Sequence, residues 1–161
     1  MAWIEPVINH NSNSFYKAED INRVGNNVSY LALYLIELPD MILAYLSEKG
    51  VSPEEIYSLP YNPDTIEVNP KTDWINGEKP RRAQIDACLV NVGAIRSILT
   101  LPEATPETPS DLVVFGQANA IELILLAVYT AAIALSTAKH ALIDNTAAAW
   151  FYSGEIYGGN I

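Results

Sequence analysis

The sequence predicts a mainly α protein: a small bundle of three principal helices with extended N- and C-terminal arms. Three observations carry that prediction. Apolar residues recur at three- and four-residue spacing from Ile21 to Leu35 and again from Ile85 to Leu99, the period of a helix with one face in a core. A third stretch, Leu123 to Ala138, carries no charge at all. Around these runs lie proline-rich segments, four prolines in residues 59–80 and three in 101–110, and proline cannot donate the backbone bond that a helical ladder needs.

At 161 residues the chain fits a single domain. Residues 1–16 read as an N-terminal arm: Pro6 and the polar cluster Asn9 to Ser14 break any helical period, and Trp3, Ile4, Val7 and Ile8 are suited to docking on a neighbour. The first helical repeat, 17–58, starts near Lys17 with Ser14 as the expected N-cap, and Glu19 and Asp20 favour the positive end of the helix. Its stripe is Ile21, Val24, Val28, Leu31 and Leu35, broadened by Tyr30 and Tyr34. Pro39 is expected to end or kink it, leaving a short second helix from Asp40 to Glu48 that Gly50 stops. Ser52, Pro53 and Glu55 then signal one or two further turns.

Residues 59–80 form a proline-rich extended segment, with Thr65 to Val68 strand-like and Asn76-Gly77 a turn. The second repeat helix, 81–100, has the face Ile85, Cys88 or Leu89, Val92, Ile95 and Leu99. Gly93 inside it costs about 1 kcal/mol relative to alanine, either for a close approach or as a tolerated defect. A stiff linker, 101–115, leads to a long central helix, 116–144, about 40 Å long. Its expected buried seam is Leu123, Leu126 or Ala127, Thr130, Ile133 or Ala134, and Thr137, packed against the repeats or against symmetry mates. The stretch 150–161 reads as a strand-like aromatic arm, with Trp150, Phe151, Tyr152, Ile156 and Tyr157 lying in a groove, either of this subunit or of the next.

Half of the residues are apolar and only 17% are charged, too little charge to cover the apolar surface of a small body. A homo-oligomer is therefore expected, with Trp3, Trp74, Trp150, Phe151, Tyr152, Ile156, Tyr157, Leu123, Leu126 and Ile133 at the contacts. The formal charge of -10 opposes both a phosphate backbone and an anionic lipid surface, so neither nucleic acid nor membrane is an expected partner. The uncharged run Leu123 to Ala138 falls short of a usual span and is diluted by Thr130, Ser136 and Thr137, so it reads as a core helix; a membrane-associated protein is the alternative. Cys88, the single cysteine, sits in an apolar run and reads as a small hydrophobe.

No pattern for chemistry emerges. His10 and His140, the two histidines, lie far apart, His140 near the expected C-terminal end of the long helix, where the dipole favours it. Glu19-Asp20 and Glu54-Glu55 fall at helix starts, where carboxylates have a structural reason to be. The glycines form no phosphate-cradling loop, no acidic loop has calcium-hand spacing, and no serine sits in a nucleophile elbow. The expectation is a protein without catalytic residues, cofactor or metal; a soluble binding domain with a pocket at Tyr30, Tyr34 and Tyr129 is a further alternative.

The most informative feature is internal repetition. Ile21-Asn22-Arg23-Val24-Gly25-Asn26-Asn27-Val28 is echoed by Ile85-Asp86-Ala87-Cys88-Leu89-Val90-Asn91-Val92. Asparagine is a mediocre helix former because its amide competes for backbone bonds. Four matched residues, Asn22, Asn27, Asp86 and Asn91, are therefore expected to pin the incoming arms onto the helices.

These motifs also carry a resemblance. Pro70 to Gly77, with Thr72-Asp73-Trp74, resembles the approach segment of a module of tailed-phage and prophage virion proteins, and Asp20-Ile21-Asn22-Arg23-Val24 resembles the helix signature that follows it there. In this chain the two halves are split. The strong approach precedes a weakened signature, Gln84-Ile85-Asp86-Ala87-Cys88, while the strong signature follows a degraded approach around Trp3 and Pro6. Gln117-Ala118-Asn119-Ala120-Ile121-Glu122 is a third, fainter copy, and the ending Trp150 to Gly158 looks like the aromatic-glycine tails of small phage structural proteins. The resemblance implies a non-enzymatic virion component of the tail, baseplate, fibre-attachment or neck region, made in the host cytoplasm and bound to other virion proteins.

Overall fold

The computed structural model describes residues 1–11, 17–53, 58–78, 80–112 and 114–157, the stretch from 150 onwards by its helical backbone. Three helices, α1 (Ala18–Lys49), α2 (Arg82–Arg96) and α3 (Phe115–Tyr157), and one 3-10 turn, Pro63–Thr65, make up the regular structure. No strand occurs among the described residues; the stretch after the 3-10 turn is extended but pairs with no other strand. The expected cap, Ser14, lies outside the described residues, as do the acids of the short element opening at Ser52. Lys17 takes the N-cap place of α1, and its backbone N–H donates to Asp20 Oδ2 at 2.8 Å.

Pro39 neither ends nor divides α1, which runs on as one helix. A proline at this place leaves the carbonyl of Leu35 without its helical donor. The Tyr61 hydroxyl supplies the missing bond, donating to Leu35 O at 2.8 Å. The helix continues until Gly50, which adopts φ 69° and closes it with Val51 N–H bonded to Leu46 O at 3.1 Å, a Schellman ending with buried Val51 packed near Leu46.

The helices run parallel. Arg23 meets Glu122 and Tyr45 meets Asp144, so α1 and α3 keep one constant register along their length. Residues 58–78 return along α1 from Leu35 to Asn22, and residues 101–112 return along α2 from Arg96 to Arg82. Each helix therefore starts at the same end of the bundle. The main core joins Val28, Leu31 and Leu35 of α1, Leu89, Val92 and Ile95 of α2, and Ile121, Leu125 and Val128 of α3. A second cluster, Leu38, Ile42, Leu46, Val51 and Ile143, continues between α1 and α3 beyond the end of α2, with Leu59 of the returning 58–78 segment packed against it.

α3 departs from expectation in phase and in length. Its buried residues are Ala118, Ile121, Glu122, Ile124, Leu125, Val128, Ala132 and Ile143, whereas Leu123 and Ile133 of the expected seam are each 37% exposed. A helix that is apolar on all sides gives no periodic signal to fix its phase, and its one acid in this region, Glu122, faces inward. The helix also passes Asp144 and continues through Tyr157, so residues 150–157 are helical rather than an extended arm. The run Ala147-Ala148-Ala149 propagates helix well, and no proline interrupts it. His140 is consequently mid-helix, with its ring edge-on to Tyr45 at 4.4 Å.

Candidate functional site

Asparagine side chains hold the extended segments to the helices. Asn27 accepts from Ile4 N–H at 3.0 Å and donates to Ile4 O at 2.7 Å. Asn22 does the same to Trp74, at 2.8 and 2.9 Å, and Asn119 to His10, at 2.9 Å in both directions. Each amide thus satisfies both backbone groups of one residue, as a neighbouring strand would. Asn91 accepts from Asn69 N–H at 2.9 Å and turns its own N–H₂ back to Ala87 O. Asp86 makes no such clamp, because a carboxylate has no N–H to give. It accepts from Arg82 Nε at 2.8 Å, and that guanidinium reaches Asp111 Oδ2 at 2.7 Å and Ser110 O.

These contacts repeat cyclically through three arm-plus-helix units. The units begin alike: Lys17 N–H donates to Asp20, Arg81 N–H to Gln84, and Val114 N–H to Gln117. Counted from those starts, Asn22, Asp86 and Asn119 occupy one place, and Asn27 and Asn91 another. The first arm (residues 1–11) is held by its own helix through Asn27 and by α3 through Asn119. The second (58–78) is held by its own helix through Asn91 and by α1 through Asn22. The third (101–112) lies along α2, where Arg96 donates to Pro106 O at 2.8 Å and Arg82 holds Asp111. The glycine at Gly25 serves the second arm: a Cβ there would stand 2.6 Å from Lys71 O, so only glycine admits that backbone.

One buried ion cluster sits where the first arm crosses α1 and α3. Arg23 Nε donates to Glu122 Oε1 at 3.0 Å and Arg23 Nη2 to Asp20 Oδ1 at 2.9 Å, with Glu122 fully buried. Burial pulls the guanidinium toward neutrality, but its bonds to Glu122 and Asp20 outweigh this and raise its pKa. Burial likewise pushes the Glu122 carboxyl above its ordinary range, against the opposing pull of Arg23. The Val7 N–H faces that carboxylate and favours its charged form, without reaching hydrogen-bond geometry at Oε2.

The expected contact residues divide. Trp3 packs on its own chain, stacked on Tyr129 at 4.2 Å with an interplanar angle of 7° and tilted against Tyr30 at 6.0 Å. It thereby fills the space beside Tyr30, Tyr34 and Tyr129 where a ligand pocket is the alternative reading. Trp74 is buried against α1, with Lys71 Nζ 4.9 Å from its ring centre. Leu126 is half-buried, and Leu123 and Ile133 face outward. The side chains of Trp150, Phe151, Tyr152, Ile156 and Tyr157 lie outside what is described. Cys88 lines a small cavity of about 90 Å³ between α1, α2 and the second arm; burial pushes its thiol up to about 11, leaving it protonated and unreactive at neutral pH.

Sequence reasoning missed three participants. Tyr61 as the acceptor-filling partner of Pro39 left no local signal, because the two lie far apart in sequence. Asn119 and Glu122 both fall in the faint third copy, and Glu122 also stands out as a lone acid beside an uncharged run. Among the described residues no group of three or more His, Cys, Asp or Glu side chains converges on a point. Two helices, Ala18–Lys49 and Phe115–Ala149, are long and apolar enough to cross a membrane by length and composition. Comparison with family models, curated proteins and solved structures yields no match to this chain.

Proposed function

We propose that the chain is a non-enzymatic structural and adaptor subunit of a tailed-phage particle, in the tail or baseplate region, acting through self-association and contacts with other virion proteins. The observation that carries this reading is the meeting of the two split motif halves. Trp74 of the strong approach segment is clamped by Asn22 of the strong helix signature, although the two belong to different repeats. An arm that locks onto the helix of the neighbouring unit, through backbone groups, is the kind of joint that links subunits in an assembly. The N-terminal arm uses that joint within its own chain, so contacts between copies fall to the helices and to the end of α3.

A membrane crossing by both apolar helices is disfavoured by their direction. α1 and α3 are parallel, so crossing with both requires residues 58–112 to cross back. Their extended segments carry backbone groups that hydrocarbon leaves unsatisfied. Mass spectrometry of purified phage particles from the source strain, with antibody labelling in electron micrographs, tests the proposal. The expected result is the chain at stoichiometric level at one end of the tail. Its absence from intact particles, with free chain in the lysate, overturns the reading.

A further inference from the structure

Beyond the end of α2 no third helix accompanies α1 and α3 among the described residues. α2 stops at Arg96, while α1 and α3 continue together as a pair joined by Leu38, Ile42, Leu46 and Ile143. Where α2 ends, an open groove of about 650 Å³ begins, formed by the turn at Leu101 and Pro102 and by Ala127, Ala131 and Ala134 of α3. The outward face of α3 continues from there through exposed Ala138, Ala141 and Leu142, with half-buried Lys139 one turn before Leu142 as the one charge beside it ahead of Asp144, and half-buried His140 on the opposite flank. At the far end the same helix outruns its partner. The register set by Arg23–Glu122 and Tyr45–Asp144 brings the end of α1, Lys49, level with Ala148, so residues 149–157 extend past α1.

We infer that a second copy of this chain covers this face, with the two α3 helices antiparallel about a two-fold axis near Leu142, forming a four-helix bundle from the two α1–α3 pairs. The inference rests on the self-association part of the proposed function and names its surface. One chain holds both complementary parts, a vacant helix position and an overhanging helix end. With the axis at Leu142, residues 150–157 of one copy come level with residues 127–134 of the other, the wall of the open groove. An isologous contact of this kind is closed and satisfies both copies at once. The strip is about 40 Å long and about 15 Å wide across two helices with axes about 9 Å apart. That is on the order of 1,200 Å² over both copies, the lower edge of a specific interface. The charge of -10 on each copy opposes pairing, so added salt tightens it.

Sedimentation velocity of the full chain across micromolar concentrations tests this. The expected result is a dimer for the natural chain, and a monomer for Ala138→Glu and for Leu142→Glu, with dissociation constants raised at least 100-fold. Both positions are exposed in the single chain, so helical circular dichroism stays unchanged. Leu33→Glu, on an exposed place of α1, leaves the dimer intact, and Leu142→Cys yields an interchain disulfide on mild oxidation. A natural chain that stays monomeric overturns the inference while leaving incorporation into particles open to its own test. An oligomer indifferent to both glutamates overturns this surface and leaves self-association standing. Cosedimentation of the chain with phosphatidylcholine vesicles also overturns it, since the face then belongs to lipid.

Discussion

An asparagine amide carries a donor and an acceptor spaced like those of a backbone peptide, so it can complete an extended residue that has no strand beside it. Asn27 is the most buried of the clamps, with no exposed surface. Asn27→Ala is expected to cost about 1–3 kcal/mol, because Ile4 N–H and C=O then lose their partners in a part-buried site; urea unfolding measures it. Asp86→Ala, on the exposed flank of α2, is expected to cost well under that. Arg23 supports a sharper prediction. Replacing it with methionine strands the buried Glu122 charge, at a cost of about 3–5 kcal/mol at neutral pH. Glu122 already has its folded pKa raised above its ordinary 4.5 by burial, and loss of Arg23 raises it further. A raised carboxyl binds its proton more tightly folded than unfolded, so it favours folding at low pH, and that support is lost as pH rises through the folded pKa. The variant's deficit is therefore greatest at neutral pH and shrinks as pH falls toward 4.5. A deficit that grows on acidification contradicts this assignment.

At the scale of elements, two glycines inside helices separate cleanly. Gly25→Ala drives a Cβ into Lys71 O and is expected to destabilise, whereas Gly93→Ala meets only Thr108 at ordinary contact distance, 3.6 Å. Gly93→Ala should therefore stabilise by up to about 1 kcal/mol through helix propensity, and thermal unfolding of the two variants reads opposite signs. Sequence alone left the role of Gly93 open, and it gave no indication that Gly25 needed its missing side chain, because the touching carbonyl arrives from a distant segment. The same distinction explains the other departures. The stripes of α1 and α2 were legible because charged and polar residues interrupt each apolar run often enough to set its phase, even though Leu33, Ile36 and Val90 are exposed. α3 lacks such interruptions through its uncharged run, and its phase follows from Arg23 on another helix. Pro39 read as a break because the rescue by Tyr61 is non-local. Tyr61→Phe is expected to cost about 1 kcal/mol by leaving Leu35 O unpaired, and the same change in a Pro39→Ala background should cost less, since the helix then supplies its own donor.

Taken whole, the molecule is one arm-and-helix unit used three times, with each arm wedged between its own helix and the one before it in cyclic order. Its repetition was legible from Asn22, Asn27, Asp86 and Asn91, since matched residues at matched spacing survive where the rest of the unit has drifted. Those residues also signalled that arms are pinned to helices; what stayed open was whether the apolar part of a terminal arm lies on its own chain or on a neighbour, because an extended segment rich in aromatic and apolar residues looks the same in either groove. The distinction yields a test. The first arm is held by backbone clamps at Ile4 and His10 and by the stack of Trp3 on Tyr129, and these contacts do not depend on a covalent link to α1. A chain beginning at Lys17 should keep its helices but lose on the order of 10 °C in melting temperature, the equivalent of about 3 kcal/mol for a chain of this size. A peptide of residues 1–11 added in trans should restore most of that loss and bind with a blue shift in Trp3 fluorescence. Substituting Asn119→Ala in the shortened chain should weaken that binding about tenfold, as the loss of one clamp predicts. A peptide that leaves the melting temperature unmoved means the arm is only an incidental cover, and the groove between α1 and α3 is not a receptor for extended chain.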